Sequence, residues 1–383
     1  MRILHTSDWH LGRSFHREGL LGAQASFVDH LVETVASEGV DAVVISGDVY
    51  DRALPSVDAV AVANDSLKRM IAVGARVIIT SGNHDSAQRL GFAADLIDAA
   101  GVHLRTSPAG VGTPVVLDDA YGSVAVYGIP YLEPDLVRTT WDLDQRSHQA
   151  VLDEAMRRVR GDLAGRSTSR SVVMAHAFVT GAAASQSERD ITVGGVANVG
   201  IDTFAGVDYA ALGHLHGRHT LADSVRYSGS PLAYSFSEVH HRKGSWLVEL
   251  GPEGFERADF VEAPVPRRVA TIRGTLESLL TAAAHAEAES SWVQATITDP
   301  QRPRHAMDRL RARFPHTLVL AFEPEGGTTS STVAMRDRVV GLSDAEIFAN
   351  FFADVRGSKP DEAEAQLLQA ACDSCRVSAD SAS

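Results

Sequence analysis

Cysteine is nearly absent from this chain: 383 residues hold two, Cys372 and Cys375, both close to the C-terminal end. A disulfide framework is therefore excluded as the source of stability, which fits a cytoplasmic protein that folds by burying apolar surface. Cys372-x-x-Cys375 has half the spacing of a zinc site, but it lacks a second Cys or His pair and a βαβ context, so it reads as incidental. No apolar run approaches the roughly 18 residues needed to cross a bilayer, so no membrane association is expected. The first residues, Met1 to Asp8, read as a strand running into a pair of candidate ligands rather than as a removable signal. A Gly-x-x-x-x-Gly-Lys-Ser/Thr loop is missing as well, so the chain offers ATP no phosphate cradle of its own. Basic residues are in deficit, 35 Lys and Arg against 49 Asp and Glu, for a net charge of −14. Taken at face value, that argues against a nucleic-acid substrate. Part of the deficit lies in residues 341–383, where eight acids face three bases. Two bound dications beside two aspartates would also make a site locally positive, and it is the local field that a phosphodiester meets.

What the chain does have is a series of ligand-type residues in fixed order: Asp8-Trp9-His10, Gly47-Asp48, Gly82-Asn83-His84-Asp85, His176 and Gly213-His214-Leu215-His216. Most follow an apolar β-type run. Taken singly, each has a structural explanation. Asp-x-His after a strand is commonly a capping carboxylate beside an unrelated histidine, Gly-Asp is common in turns, and a lone histidine is usually a satisfied core residue. Gly213-His214-Leu215-His216 is more specific, because imidazoles at i and i+2 project the same way from an extended segment. All five in order, each at a strand end, point to two divalent metals side by side with a carboxylate between them.

With 44% hydrophobic and 22% charged residues, the chain has material for two or three domains. Ile3–Ser7, Val40–Ser46 and Ala75–Thr80 read as strands. Leu20–Glu38, stopped by Gly39, and Val57–Val73, stopped by Gly74, read as helices. This βαβαβ order predicts parallel pairing, with the ligands at the carboxyl ends of neighbouring strands. Further strands are expected at Val124–Ile129, Ser171–Ala175, Tyr209–Leu212, Val225–Ser228 and Ser245–Leu250, with a helix over about Gln145–Arg160. Two sheets packed face to face with helices outside would bring both halves to one edge. A boundary falls near Ala263-Pro264-Val265-Pro266. Beyond it Arg268–Arg273, Leu276–Ala286, Trp292–Thr298, Arg304–Phe314 and Thr317–Phe322 read β-α-β-α-β. After a break over Glu325–Ser331, Ser343 and Glu346 have capping-box spacing ahead of a helix rich in Ile347, Phe348, Phe351 and Phe352. Lys359-Pro360 separates it from a second helix over Asp361–Ala371.

The ligand pattern resembles the calcineurin-like metallophosphoesterase superfamily. The flanking segments Ile3–Gly12, Ser81–Ser86, Ile129-Pro130-Tyr131, Val193-Gly194-Gly195 and Tyr227–Leu232 more narrowly resemble the SbcD family of bacterial nuclease subunits. The likeness covers the catalytic half nearly end to end and is looser beyond it. It implies an α/β fold: a four-layer α/β/β/α metallophosphoesterase sandwich over 1–265, a small α+β capping domain over 266–325, a linker over 326–341, a C-terminal helix pair over 342–376, and a disordered tail over 377–383. It implies that Asp8, His10 and His216 hold one metal and Asn83, His176 and His214 the other, with Asp48 bridging. The metals would be two Mn2+, with Mg2+ or other divalent ions as substitutes, activating a water that attacks phosphorus in line. His84 would act on the scissile phosphate and protonate the leaving oxygen. Asp85 would either fix the His84 tautomer or cap a helix. Arg89 and Arg226 are candidate phosphate contacts, Trp9 and Tyr131 could stack on bases or pack, and the Ser228–Pro231 turn could present backbone N–H groups or simply turn.

The activity implied is metal-dependent hydrolysis of DNA at double-stranded ends and hairpins, as exonuclease and endonuclease, in DNA repair and recombination. The partners implied are an SbcC-type coiled-coil ATPase, docked on the helix pair, and a second copy of the chain within a heterotetramer. A stand-alone phosphodiesterase acting on a small nucleotide is the alternative, and the residues beyond Pro266 argue against it. A structural subunit that docks DNA ends without cutting is a further alternative, opposed by the complete ligand set.

Overall fold

The computed structural model describes residues 1–167, 170–192, 198–325, 341–356 and 358–380. The Val193-Gly194-Gly195 segment, nearly all of the expected linker and the last three residues lie outside them. The chain divides into two compact units, one of Met1–Ala270 with Ser290–Trp292, the other of Thr271–Glu289 with the chain from Val293 onward.

The first unit holds two six-stranded sheets. In one, Arg2–Thr6, Ala42–Ser46, Arg76–Thr80 and Val102–Arg105 run parallel, and Gly244–Gly251 and Gly254–Glu262 extend the sheet antiparallel from Arg2–Thr6. In the other, Gly122–Gly128, Ser171–His176, Tyr209–Gly213 and Val225–Tyr227 run parallel, with Val115–Asp119 and His219–Ala222 antiparallel at its two edges.

Alternation along each strand decides the layering. Ile3, Val44 and Ile78 of one sheet meet Val126, Val172 and Met174 of the other in a single buried layer. Their neighbours Leu4, Val43, Ile45 and Val77 point the opposite way, onto Phe27 and Leu31 of the Leu21–Glu38 helix and Ala59 and Met70 of the Val57–Ala72 helix. On the second sheet Ala125, Val173 and Leu212 pack against Val151, Ala155 and Met156 of the His148–Leu163 helix. Strands buried on both faces must be apolar throughout, so VDAVVIS reads as a continuous run. The result is four layers, helix, sheet, sheet, helix.

Four strands of the two large sheets have no counterpart in the sequence reading: Val102–Arg105, Val115–Asp119, His219–Ala222 and Gly254–Glu262. All four are sheet edges. Half-exposed edges carry polar residues and lack the uninterrupted apolar run that marks a central strand.

In the second unit, Val269–Gly274, Trp292–Ile297 and Thr317–Phe322 form a three-stranded sheet with helices at Leu276–Thr281 and Ala306–Arg313. The capping box forms as expected: the Ser343 amide donates to Glu346 at 2.7 Å and the Glu346 amide to the Ser343 hydroxyl at 3.4 Å, ahead of the Asp344–Arg356 helix. A second box, Asp361 with Glu364, opens the next helix. That helix runs from Glu362 to Asp380, so residues 377–380 are helical where the sequence reading placed a tail. Cys372 is buried in it as a free thiol.

The pair His5 and Tyr209 places polar atoms within the inter-sheet layer. His5 is fully buried, with Nδ1 2.9 Å from the Tyr209 hydroxyl and Nε2 3.1 Å from the Leu212 carbonyl. Burial pushes its pKa down to about 3. The unfolded chain therefore binds a proton here below about pH 6.5 that the folded chain refuses, and stability contributed by neutral His5 is lost as pH falls from about 6.5 toward 3. Replacing His5 with Phe should lower stability at pH 7 but flatten the acid limb by up to about 1.4 kcal/mol per pH unit, measured by urea unfolding between pH 4 and 7. An unchanged acid slope would show that His5 is not part of it.

Candidate metal centre

The strand ends bring all seven expected ligands to one edge of the sandwich. Asp8 and His10 follow Arg2–Thr6, Asp48 follows Ala42–Ser46, and Asn83 follows Arg76–Thr80. His176 ends its own strand, and His214 and His216 follow Tyr209–Gly213. The Nε2 atoms of His10 and His216 lie 3.0 Å apart, and Asp8 converges with them. Asn83 Oδ1 stands 2.9 Å from His176 Nε2 and 3.2 Å from His214 Nδ1. Between the two groups Asp48 Oδ2 lies 3.5 Å from His10 Nε2 and 3.4 Å from His176 Nε2. The geometry is two clusters sharing one carboxylate.

These residues fit a pair of cations. Two imidazole nitrogens facing each other share at most one proton, and His10, His216, Asp8 and Asp48 are all buried away from water. Orphaned buried polar atoms are costly, and convergent lone pairs without protons between them are what a divalent ion offsets. Mixed imidazole, amide and carboxylate donors suit first-row divalent metals.

The backbone is bent to the same end. Asp8, His10, Asp48 and His214 all adopt positive φ, at 53°, 46°, 51° and 105°. For residues with a Cβ such conformations cost on the order of 1–3 kcal/mol each and persist only where surroundings impose them. Glycines make the close approach possible: a Cβ on Gly82 would stand 2.1 Å from Asp48 Oδ1, and one on Gly213 1.9 Å from the Ser46 carbonyl oxygen.

His84 approaches the same group, its ring T-shaped against His10 at 4.5 Å between centroids. Its Nδ1 lies 2.8 Å from the backbone carbonyl of Asp51, and its amide donates to Asp48 Oδ1 at 2.8 Å. The Asp51 carbonyl therefore sets the tautomer of His84, and of the two roles open to Asp85 the tautomer-fixing one is not taken up. The Asp85 carboxylate is taken up by three backbone amides, Val49, Tyr50 and Gly82, at 2.9–3.1 Å. It staples the turn after Asp48 to the turn after Thr80.

Burial dominates the electrostatics. It pushes His10 far below the usual imidazole range and His214 down to about 3, leaving both neutral with lone pairs free at pH 7. Burial opposes protonation of His176 too, but the Asp48 carboxylate lifts it to about 9 and is itself held well below the carboxylate range. Loading a cation there must expel that proton. Burial lowers His84 as well, keeping it neutral at pH 7 until an anion arrives.

Several expected contacts resolve to packing. Trp9 is buried, edge-on to Phe27, with its indole N–H on Thr6. Arg226 bonds the Asp223 carbonyl and stacks on Trp246. The Ser230 amide of the Ser228–Pro231 turn is spent on the His216 carbonyl at 3.2 Å. Tyr131 stands edge-on to His176 at 6.3 Å, and Arg89 is exposed. Residues outside any motif hold the site: Gln24 donates to the Trp9 and His10 carbonyls at 3.0 and 2.7 Å, and the Tyr234 hydroxyl to the Trp9 carbonyl at 2.6 Å. Only tertiary proximity joins them to it, and no spacing in the sequence announces them.

The calcineurin-like phosphoesterase family matches residues 1–218. The SbcD_C family, described as the type 5 capsule protein repressor C-terminal domain, matches residues 265–356. Among solved structures, TT1561 of Thermus thermophilus is 12% identical, with 69% of this chain and 99% of that one covered at a TM-score of 0.40. A dimetal phosphatase from Danio rerio is 13% identical with the same coverage at a TM-score of 0.39. GAP50, the anchor in the inner membrane complex of Plasmodium, is 10% identical, with 86% and 98% covered at a TM-score of 0.36.

The close approach at Gly213 generates a test. Gly213→Ala forces the Tyr209–Gly213 strand end away from Ser46, at about 1–3 kcal/mol, and displaces His214. Thermal unfolding should show the loss of stability, and calorimetric titration with Mn2+ a much weakened uptake. Wild-type uptake by this variant would show that the strand ends tolerate separation.

Proposed function

Because the chain belongs to the calcineurin-like phosphoesterase family, we propose that it is a metal-dependent DNA nuclease, the hydrolytic subunit of an SbcC–SbcD-type complex acting on duplex ends and hairpins. The observation that carries the DNA reading over a stand-alone nucleotide phosphodiesterase is the SbcD_C match across 265–356, a region such an enzyme would not need.

In this reading Asp8, His10 and His216 hold one ion, Asn83, His176 and His214 the other, and Asp48 both. The ions are Mn2+ in preference to Mg2+, because four imidazoles suit the softer ion. When bound they supply Lewis acidity, offsetting phosphate charge and acidifying water enough for in-line attack. The chain's own residues do the rest. Asp48 keeps the two clusters in register, and the buried cleft edge excludes bulk water. His84 donates from Nδ1 to the Asp51 carbonyl, which leaves Nε2 to meet the phosphodiester. The incoming anion raises its pKa, Nε2 takes up a proton from solvent, and that proton passes to the departing 3′ oxygen as the P–O bond breaks, leaving His84 neutral again. Asp85 serves this step only through the turn it staples.

Two surfaces support partners. Phe348, Phe351 and Val355 share one face of the Asp344–Arg356 helix and, with Leu367 of the next helix, are exposed. They suit the apolar seam of a coiled-coil ATPase. Val60 and Phe92, exposed near Leu54, Val57 and Leu96, line one apolar cavity of about 300 Å³ on the first unit and suit a second copy.

End-labelled duplex, hairpin and single-stranded DNA, incubated with Mn2+ with and without the ATPase, test the activity. Cleavage of a chromogenic phosphodiester but of no DNA under any condition would favour the small-nucleotide enzyme. His84→Gln should lower DNA cleavage at least about 100-fold while Mn2+ content stays at the wild-type level, whereas Asp48→Asn should lose metal too. Near-normal cleavage by His84→Gln would sink the assigned role. Phe351→Asp, on an exposed face, should leave cleavage of simple substrates and the unfolding midpoint unchanged but abolish co-purification with the ATPase. Full retention of the partner would remove the docking role.

A further inference from the structure

We infer that half-buried Ser187 and buried Glu238 and Lys243 form a positioning relay that fixes His216, and through it one of the two metal positions. The relay rests on the metal reading of the site and is independent of the choice of DNA as substrate. Every polar atom of His216 except Nε2 is held. Its amide donates to Glu188 Oε1 at 2.8 Å, its carbonyl accepts from Lys243 Nζ at 2.9 Å, and Nδ1 lies 2.5 Å from the Ser187 hydroxyl.

Proton bookkeeping assigns the direction of each bond. Lys243 is buried with three donors and three acceptors: Glu238 Oε2 at 2.5 Å, the His216 carbonyl, and the Ser230 hydroxyl at 2.9 Å. Beside this ammonium, Glu238 is a carboxylate, and its Oε1 can only accept. The Ser187 hydroxyl, 2.5 Å from Oε1, therefore donates to it. With its one proton committed, Ser187 must accept from His216 Nδ1–H. That leaves the lone pair of His216 on Nε2, the atom facing His10 and the ligand cluster. The reverse tautomer would point an N–H at the cation.

Among the described residues, no other imidazole in the centre is backed this way. His176 Nδ1 meets a neutral carbonyl, Ser46, at 3.0 Å, and His10 Nδ1 has no hydrogen-bond partner, the Asp51 carboxylate standing off at 3.8 Å. A carboxylate drawing on the far N–H makes an imidazole a more basic and better-oriented ligand. A buried Lys–Glu pair is a weak source of stability compared with apolar packing. Placed directly behind one ligand, it is suited to orientation instead.

Calorimetric titration of the metal-free full-length chain with Mn2+ tests the relay. Ser187 is only half-buried, so Ser187→Ala should fold with an unchanged midpoint. It should bind one of the two ions about 10- to 100-fold more weakly and the other as wild type does. Ser187→Thr keeps the hydroxyl and should restore the lost site. The double variant Glu238→Gln with Lys243→Met removes both charges and should reproduce the Ser187→Ala isotherm. Wild-type binding of both ions by Ser187→Ala, equal weakening of both, or failure of Thr to rescue would each overturn the relay. A wild-type chain that took up no Mn2+ would overturn the metal reading and the relay with it.

Discussion

The contact on which the site depends is the meeting of two strand ends from different sheets. The Ser46 hydroxyl donates to the Ala211 carbonyl at 2.8 Å, and the Ser46 carbonyl faces His176 Nδ1 at 3.0 Å. These bonds lock the end of the Ala42–Ser46 strand against Tyr209–Gly213 and Ser171–His176. Two sheets packed through side chains normally stand about 10 Å apart. Side chains from both could not coordinate common points at that spacing. Gly213 and Gly47 lower the separation locally, because a Cβ on Gly213 would meet the Ser46 carbonyl and one on Gly47 the His176 ring.

Once the ends meet, their backbone carries the cost. Asp8, His10, Asp48 and His214 sit at positive φ, and an apolar core on both faces of each sheet holds them there. Four of the ligand residues share this strained backbone at one edge of the sandwich. That pattern is what a site built for cations shows before they are counted: burial keeps His10 and His214 neutral, and only positive charge can reconcile Asp8 with Asp48.

The same edge separates two kinds of histidine. Those converging on Asp48 and Asn83 expend their lone pairs inward. His84 also reaches His10 and Asp48, but its Nδ1 is engaged by the Asp51 backbone carbonyl at 2.8 Å.

The sequence by itself determined the central strands, the helices that follow them, and the ligand residues at the strand ends. Val43–Ile45 and Val77–Ile79 are apolar throughout because both faces are buried, and each is followed by a glycine-bearing turn that puts its ligand on the edge. The capping box at Ser343 and Glu346 was legible because its chemistry is local. The edge strands were not, because half-exposed segments such as Gly254–Glu262 lack a continuous apolar run. Nor was the partner of His84: a neighbour in sequence, Asp85, suggested itself, while backbone amides from two turns had already taken its carboxylate. Ser187, Glu238 and Lys243 carry no spacing that links them to His216, and Gln24 none that links it to His10. Periodicity reports which face of an element is buried. Which polar atoms then fall within 3 Å of one another depends on how distant elements are packed, and only the tertiary structure decided that.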